Sequence, residues 1–366
     1  MEIQKINIGI IGSGAISDIY LDNLTSRFSN VQVSAISSRG MASAQKKAEK
    51  YHIRALTNDQ MLADPDIDII VILTPVQTHY ELIKSALLAG KHVYTEKTMT
   101  ETYAEAKELC ESADAKGLYL GSAPDTFLGT GFQTAKKAID ENKIGTIHSF
   151  TISITRDNDI LTAMFPFLRI PGAGALRDYI VYYLTALVSL LGPVKTVSAV
   201  LKTPYDKRMN SIPDTKGFNE MIDTPNEAII AATLELENGV IGTIHEDNES
   251  VIFDRSDFVI CGKNGLLKLG NANEFGNPVE LIRPKGFFEK ETEVLKPVGF
   301  YSDNSRGIGP AELADAIVHH RKNRTDKAMA AHVLEVIEAM EQSSKEGRFI
   351  EVESTFEKPE LFDMKY

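Results

Sequence analysis

The type of fold follows from one stretch of the chain, Ile6-Asn7-Ile8-Gly9-Ile10-Ile11-Gly12-Ser13-Gly14-Ala15-Ile16-Ser17. The first six residues form an apolar run typical of a buried strand, and Ser17–Arg27 has the apolar spacing of a helix. Between them, Gly12 permits a tight turn and Gly14 lets the backbone approach a pyrophosphate at the helix N-terminus. A glycine pattern like this also occurs in plain strand-to-helix turns, and Ser17 replaces the usual third glycine. The predicted phosphate-binding residues are Gly12, Ser13, Gly14, Ala15 and Ile16.

Strands and helices continue to alternate as far as Ala123. Val31–Ser37 and Ile67–Leu73 are predicted strands, and the second is an almost continuous apolar run, as expected where both faces of a parallel sheet are covered. Helices are predicted at Ala42–Tyr51, His79–Leu88 and Tyr103–Ala115. This alternation indicates right-handed βαβ units. We therefore predict an α/β fold that begins with a doubly wound parallel sheet, a dinucleotide-binding Rossmann domain over residues 1–123.

After residue 123 the pattern changes to clustered strands with turn residues between them. Glu237-Asn238-Gly239 and Lys263-Asn264-Gly265 each separate two apolar runs, which predicts two β-hairpins. A helix is predicted over Asp178–Leu191 and a long surface loop over Thr203–Pro225. We therefore predict a second, α+β domain over residues 124–366 with a large, open and mainly antiparallel sheet.

The composition restricts the class of protein. The chain has 366 residues, with 39 Lys and Arg against 51 Asp and Glu, and a formal net charge of −12. Without a long basic stripe, this charge argues against nucleic acid or an anionic membrane as a partner. No apolar run approaches the roughly 20 residues of a membrane helix, and the N-terminus lacks the pattern of a signal peptide. The two cysteines lie outside any metal-binding spacing, so we expect no metal site and a cytoplasmic protein.

The residues after the second predicted strand bear on the choice of dinucleotide. An acidic residue there would hydrogen-bond the ribose 2′-hydroxyl of NAD, but the chain reads Ser37-Ser38-Arg39. The Ser38 hydroxyl and the Arg39 guanidinium can hold a 2′-phosphate through charge-assisted hydrogen bonds. The other interpretation is that Ser38 caps the next helix and Arg39 is solvated. We predict NADP as the preferred cofactor, with NAD as the alternative.

Three further motifs follow in order along the chain. They are Thr74-Pro75-Val76-Gln77-Thr78-His79, Gly90-Lys91-His92-Val93-Tyr94-Thr95-Glu96-Lys97 and Gly172-Ala173-Gly174-Ala175-Leu176-Arg177-Asp178. Together with the glycine turn they resemble the Gfo/Idh/MocA oxidoreductases, the family of glucose-fructose oxidoreductase and inositol dehydrogenase, over nearly the whole chain. The resemblance implies further cofactor-binding residues, namely Thr74, Pro75, His79, Glu96 and Lys97. It also implies a homodimer or homotetramer in which the sheet of the second domain packs against another subunit.

The chain departs from the family pattern at three positions. Thr98 stands where the family has a proline, and Ile180 and Tyr182 stand where many relatives have glycine and histidine. The branch that resembles glucose-fructose oxidoreductase and dihydrodiol dehydrogenase also has tyrosine at the position of Tyr182. The tyrosine is therefore compatible with catalysis.

The predicted catalytic residues are Lys97, Asp178 and Tyr182. On a helix Asp178 and Tyr182 lie one turn apart on the same face, and Lys97 follows a parallel strand at the sheet edge where ligands gather. Our hypothesis is that Tyr182 exchanges the proton of a substrate hydroxyl, while Lys97 polarises the oxygen and stabilises phenolate. Asp178 would orient the lysine or a sugar hydroxyl. Lys97 as the acid–base group is one alternative, and ordinary aromatic packing beside a helix-terminal acid is another.

The predicted function is hydride transfer between a nicotinamide and a secondary alcohol or carbonyl of a sugar, polyol or cyclic alcohol. Two alternatives remain open, an NAD-using glycosidase of the same family and a non-catalytic sensor of dinucleotide or sugar. Arg156 and Asp159, which follow a predicted strand, and His245, at the end of another, are further candidates for substrate contact.

Overall fold

The computed structural model describes residues 5–253 and 255–366. Residues 1–4 of the first predicted domain and residue 254 of the second therefore lie outside the described residues. Parallel strands form the N-terminal sheet in the order β3-β2-β1-β4-β5-β6. They are β1 (Ile6–Ile11), β2 (Val31–Ser37), β3 (Arg54–Ala55), β4 (Ile69–Ile72), β5 (His92–Thr95) and β6 (Leu120–Ser122). The helices between them are α1 (Ile16–Ser26), α2 (Met41–Tyr51), α3 (Asn58–Ala63), α4 (His79–Leu88) and α5 (Tyr103–Lys116).

This sheet confirms the predicted doubly wound parallel architecture. Every residue of β4 is buried, which agrees with helices on both faces and explains the apolar run in the sequence. The strand order reverses between β1 and β4, and in such sheets ligands bind in the crevice at that point. The short elements β3 and α3 are not in the prediction, because two and six residues carry too little periodicity to detect.

The C-terminal sheet has the strand order β16-β15-β14-β13-β7-β12-β11-β8-β17. Its strands are β7 (Ile147–Thr155), β8 (Val194–Lys202), β11 (Ile229–Leu236), β12 (Ile241–Asp247), β13 (Arg255–Gly262), β14 (Gly265–Leu269), β15 (Glu280–Pro284), β16 (Lys290–Val294) and β17 (Ile350–Glu351). Neighbouring strands are antiparallel except for β7 and β12. The mainly antiparallel sheet and both hairpins are therefore confirmed.

Two parts of the C-terminal prediction are wrong in detail. The surface loop predicted over Thr203–Pro225 contains a small antiparallel ribbon of β9 (Lys207–Met209) and β10 (Met221–Asp223). The helix predicted over Asp178–Leu191 begins as a π-helical turn, Leu176–Ile180, before α8 (Val181–Leu191). Neither feature follows from apolar spacing, because the ribbon strands have three residues each and a π-turn is set by its surroundings.

Five more α-helices follow β6 in the described part of the chain. They are α6 (Thr130–Asp140), α7 (Asn158–Met164), α8, α9 (Ile308–Val318) and α10 (Lys327–Glu346). Of these, α6 packs against β14 and α10 against β8 of the C-terminal sheet, whereas α9 packs against β5 and β6 of the N-terminal sheet. Buried and exposed residues alternate along β11 and β12, as expected for a sheet with one covered face. Within residues 5–253 and 255–366, no helix combines the length and the apolar character that crossing a membrane requires.

Candidate active site

The glycine turn between β1 and α1 has the geometry of a phosphate-binding loop. Gly12 has φ +122°, and a Cβ there would lie 2.6 Å from the Leu73 carbonyl oxygen, so only glycine fits. A Cβ on Gly14 would meet no atom within 4 Å, so the space in front of the helix N-terminus is open to a ligand. The buried Ser17 hydroxyl donates to the Gly14 carbonyl oxygen at 2.7 Å, which explains why a serine can replace the third glycine. These residues fit a dinucleotide pyrophosphate.

Three serine hydroxyls meet where β2 ends. The Ser43 hydroxyl lies 2.8 Å from that of Ser13 and 2.9 Å from that of Ser38. Arg39 is exposed beside them, directly before α2. The group contains hydroxyls and a cation but no carboxylate, as the sequence predicts for this position.

His79 connects two loops at the same edge of the sheet. Its imidazole is fully buried, with Nε2 2.8 Å from the Thr74 carbonyl oxygen and Nδ1 2.9 Å from the Thr98 carbonyl oxygen. Burial lowers the pKa of His79, so the neutral ring is favoured. Thr74 is partly exposed and Pro75 is exposed, so both can contact a ligand. The buried His79 instead holds the two loops in place.

Lys97 links the two halves of the molecule. It follows β5 by two residues, and its Nζ lies 2.8 Å from Asp178 Oδ1 and 2.7 Å from the Asp178 carbonyl oxygen. Burial alone would lower the pKa of Lys97, but the Asp178 carboxylate and the Tyr182 phenol outweigh burial and raise it. The preceding residue, Glu96, accepts a hydrogen bond from the Tyr20 hydroxyl at 2.8 Å and so holds this loop against α1.

Tyr182 reaches the same point from the start of α8. The Lys97 Nζ lies 5.3 Å from the centre of the Tyr182 ring. Asp178 belongs to the π-turn and Tyr182 to the α-helix, yet both side chains converge on the lysine. Arg306, which precedes α9 and escapes the sequence analysis, is a further cation beside the phenol. Burial alone would lower the pKa of Arg306, but Tyr182 raises it through its charge and a hydrogen bond.

The further candidates separate in the structure. Arg156 lies beside the site, with Nη1 3.8 Å from Asp178 Oδ2 and its guanidinium 3.8 Å from the centre of the Tyr179 ring. Asp159 instead pairs with Arg208 at 2.8 Å. His245 is exposed on the open face of β12.

Next to His245, the strand alternation turns Glu246 inward. Glu246 is fully buried, and burial raises the pKa of its carboxyl to about 8 even though Arg156 acts in the opposite direction. Glu246 is therefore protonated at neutral pH. Sequence reasoning missed Glu246, although a signal for it exists. Once β12 is assigned as a strand, the alternation of its side chains places this acidic residue on the inward face.

This burial predicts a pH-dependent contribution to stability. Because the folded carboxyl titrates at about 8 and the ordinary value is 4.5, the folded state holds an extra proton between these pH values. Stability is then lost as pH rises through this window. Glu246→Gln has no such proton to lose, so its free energy of unfolding should not fall in this way. The quantity to compare is the unfolding free energy of Glu246→Gln minus that of the wild type. We expect this difference to be larger at pH 8.5 than at pH 4.5 by roughly several kcal/mol, at about 1.4 kcal/mol per pKa unit.

Urea unfolding of both proteins at the two pH values measures this difference. Glu291→Gln, in the fully exposed strand β16, is the matched control and should behave like the wild type at both. An equal difference between Glu246→Gln and wild type at pH 4.5 and pH 8.5 would contradict the prediction.

Among the described residues, no group of three or more His, Cys, Asp or Glu side chains has a metal-binding arrangement. The fold and the site together define the class of oxidoreductases that bind a dinucleotide on a Rossmann sheet.

The chain belongs to the Gfo/Idh/MocA oxidoreductase family. Residues 6–123 match its NAD-binding Rossmann-fold model, and residues 132–268 match a GFO/IDH/MocA C-terminal domain model.

Individual relatives match different shares of the chain. An uncharacterized oxidoreductase of Schizosaccharomyces pombe is 31% identical over 208 residues, which cover 55% of this chain and 56% of that protein, so this match spans about half of the relative. The scyllo-inositol 2-dehydrogenase (NADP(+)) IolW of Bacillus subtilis is 26% identical over 96% of this chain and 97% of its own length.

Solved structures share the fold. An NAD binding oxidoreductase from Klebsiella pneumoniae has a TM-score of 0.82 at 20% identity, covering 96% of this chain and 100% of that one. Levoglucosan dehydrogenase in complex with NADH has a TM-score of 0.81 at 18% identity, with the same coverage.

Proposed function

We propose that this protein is an NADP-preferring dehydrogenase or reductase that acts on a secondary alcohol or carbonyl of a sugar, polyol or cyclic alcohol. The observation that carries the proposal is the 2.8 Å contact of Lys97 Nζ with Asp178, beside the Tyr182 ring. In the proposed arrangement residues 1–123 bind the dinucleotide and residues 124–366 bind the substrate. IolW, which resembles the chain over nearly its whole length, is named as an NADP-dependent inositol dehydrogenase.

The dinucleotide, when bound, supplies the nicotinamide carbon that gives or takes a hydride. Gly12, Ser13, Gly14, Ala15 and Ile16 would hold its pyrophosphate. We propose that Thr74, Pro75, Glu96 and Lys97 border it, and that His79 acts by holding their loops.

For the proton, we propose that Tyr182 is the group that exchanges it with the substrate oxygen. Lys97 is held by both the side chain and the backbone carbonyl of Asp178, which favours its charged form. A charged lysine cannot accept a proton, but it can polarise the substrate oxygen and stabilise phenolate. In this proposal Asp178 orients Lys97. Because the lysine stays charged, Tyr182 is the acid–base group.

The preference for NADP rests on the serine group and Arg39. We expect Arg39→Ala to raise the Kd for NADP⁺ about tenfold, because a charge-assisted hydrogen bond to the 2′-phosphate is lost. The Kd for NAD⁺ should stay within about twofold of the wild-type value, since NAD⁺ has no such phosphate. Fluorescence titration with both dinucleotides measures this. Lys46→Ala, an exposed cation on α2, is the control, and equal weakening for both dinucleotides in Arg39→Ala would refute the preference.

The proposed activity is tested by following absorbance at 340 nm with NADP⁺ and NAD⁺ against neutral sugars and inositols, and with NADPH against their ketones. Reduction or oxidation of the nicotinamide by at least one substrate is expected. Release of sugar from an aryl glycoside without net change in the nicotinamide would instead indicate a glycosidase. Dinucleotide binding without any turnover would indicate a sensor.

We also propose a homodimer or homotetramer in a reducing compartment such as the cytoplasm. Apolar side chains lie on the open face of the C-terminal sheet, with Val200 68% and Ile241 55% exposed. Exposed apolar side chains on a sheet face favour contact with another subunit, and here they lie among polar ones such as Thr243 and His245. Cys110 and Cys261 are both free thiols, which agrees with a reducing environment.

A further inference from the structure

Large apolar side chains are exposed on two segments at one end of the C-terminal sheet. The first segment, residues 156–173, follows β7 and includes α7; the second, residues 203–225, follows β8 and includes the ribbon of β9 and β10. Both leave the sheet at the same end, as the register of β7, β12, β11 and β8 shows. Seven side chains are each 42–57% exposed and are here called the apolar patch: Met164, Phe165, Phe167, Ile170, Met209, Phe218 and Met221.

Hydrogen bonds join the two segments into one surface. Arg169 donates from Nε to a carbonyl oxygen of the first segment at 2.8 Å and from Nη2 to a carbonyl oxygen between β9 and β10 at 3.0 Å. The buried Arg208 of β9 pairs with Asp159 of α7 at 2.8 Å. Met209 and Met221 are directly opposite each other on the ribbon, so their side chains lie on the same face. The exposed apolar side chains therefore belong to a single, fixed surface.

The area of the apolar patch is that of a binding surface. With about 150–200 Å² for each side chain, seven half-exposed ones present roughly 500–700 Å² of apolar surface. The largest apolar patch of a typical monomer measures about 300–600 Å² and is often functional. One partner of a stable protein complex buries about 800 Å², which includes a polar rim. The apolar patch and its polar surroundings can therefore supply one side of a stable interface.

The charges around the apolar patch indicate what covers it. Residues 156–173 and 203–225 contain five Lys or Arg and six Asp or Glu, a net charge of −1, whereas the whole chain has −12. This surface offers no excess of positive charge to an anionic membrane or to nucleic acid. It is, however, nearly neutral, so two copies can bring it together without the repulsion that the rest of an acidic surface would cause. An apolar, nearly neutral surface of this kind is complementary to itself about a two-fold axis.

We propose that the apolar patch binds the same patch of a second copy of this chain, in a contact separate from the open face of the C-terminal sheet. Two different two-fold contacts on one chain generate a tetramer, and one alone generates a dimer. The first segment also supplies Asn158, Leu161 and Leu168 to the surroundings of Asp178, so the contact holds in place a segment that borders the proposed reacting centre. The inference goes beyond the proposed function, because the contact requires neither dinucleotide nor substrate.

The test is the mass of the full-length protein by sedimentation velocity at micromolar concentration, without dinucleotide. We expect the wild type to have two or four times the mass of one chain. Met221→Lys and Phe167→Lys should each halve the wild-type mass, because like charges from the two copies then meet where water is excluded and raise the Kd of the contact about 100-fold or more. Leu88→Lys, at a leucine on α4 that is 65% exposed, is the matched control and should keep the wild-type mass.

A measurement on the wild type alone covers the case in which neither variant folds. In a single chain Met221 is 57% exposed and Met41 is 39% exposed, so peroxide should oxidise Met221 faster if no partner covers it. In the proposed assembly Met221 is covered, and we expect it to be oxidised at least about threefold more slowly than Met41. Mass spectrometry of the peptides measures both rates.

A monomeric wild type, folded patch variants with the wild-type mass, halving of the mass by Leu88→Lys as well, or faster oxidation of Met221 than of Met41 would each overturn the inference. Absorbance at 340 nm on the same samples tests the proposed reaction separately. A protein without nicotinamide turnover whose mass is halved by the patch variants would contradict the enzymatic function and leave the interface in place.

Discussion

Tyr182→Phe is expected to lower kcat by about 10²–10⁴-fold, the usual contribution of a general acid–base group. The variant keeps the ring that lies 5.3 Å from Lys97 Nζ, so packing around α8 and the Kd for the dinucleotide should change little. Steady-state turnover, fluorescence titration with NADP⁺ and thermal unfolding measure the three quantities. Tyr205→Phe, which removes a hydroxyl from a tyrosine that is 59% exposed, is the matched control.

Lys97→Met tests the other half of the same proposed centre. Loss of the ammonium removes the charge that stabilises phenolate, so we expect a comparable fall in kcat and, for alcohol oxidation, a shift of the acidic limb of the pH–rate profile to higher pH. Full turnover in both Tyr182→Phe and Lys97→Met would refute the proposed centre. A profile that shifts in neither direction with the lysine variant would refute the coupling between lysine and tyrosine.

Substitutions in the glycine turn are expected to have the second large effect, and two neighbouring glycines should respond differently. At Gly14 a methyl group meets nothing within 4 Å in the protein, so Gly14→Ala should fold normally. The same methyl would occupy the space through which a pyrophosphate approaches the backbone. We expect the Kd for NADP⁺ to rise by a factor of about ten or more, with a melting temperature close to that of the wild type.

Gly12→Ala is the contrasting variant. Its Cβ would lie 2.6 Å from a backbone oxygen at φ +122°, a conformation that side chains rarely adopt, so the cost falls on folding. We expect a loss of about 2–4 kcal/mol in unfolding free energy. If Gly14→Ala bound NADP⁺ as tightly as the wild type, the phosphate site would not be at this turn.

Much of the N-terminal half could be predicted because its signals are local. Val31–Ser37 and His79–Leu88 have the predicted bounds, since a strand or helix that buries one side must repeat apolar residues at its own period. The π-turn at Leu176–Ile180 carries no such period, so Asp178 and Tyr182 could be paired from the sequence but their actual geometry could not. Arg306 lies in a segment without regular structure, where spacing indicates nothing about direction.

By itself the sequence determined the order of strands and helices, the position of the glycine turn and the identity of its hydroxyl and guanidinium neighbours, because each depends on residues a few positions apart. Only the tertiary structure decided that Lys97 meets Asp178 across 81 positions, and that Glu246 faces the interior while His245 faces outward. Such contacts depend on how distant segments pack against one another. That packing buries charged and titratable groups, and burial changes both their pKa values and the strength of their interactions.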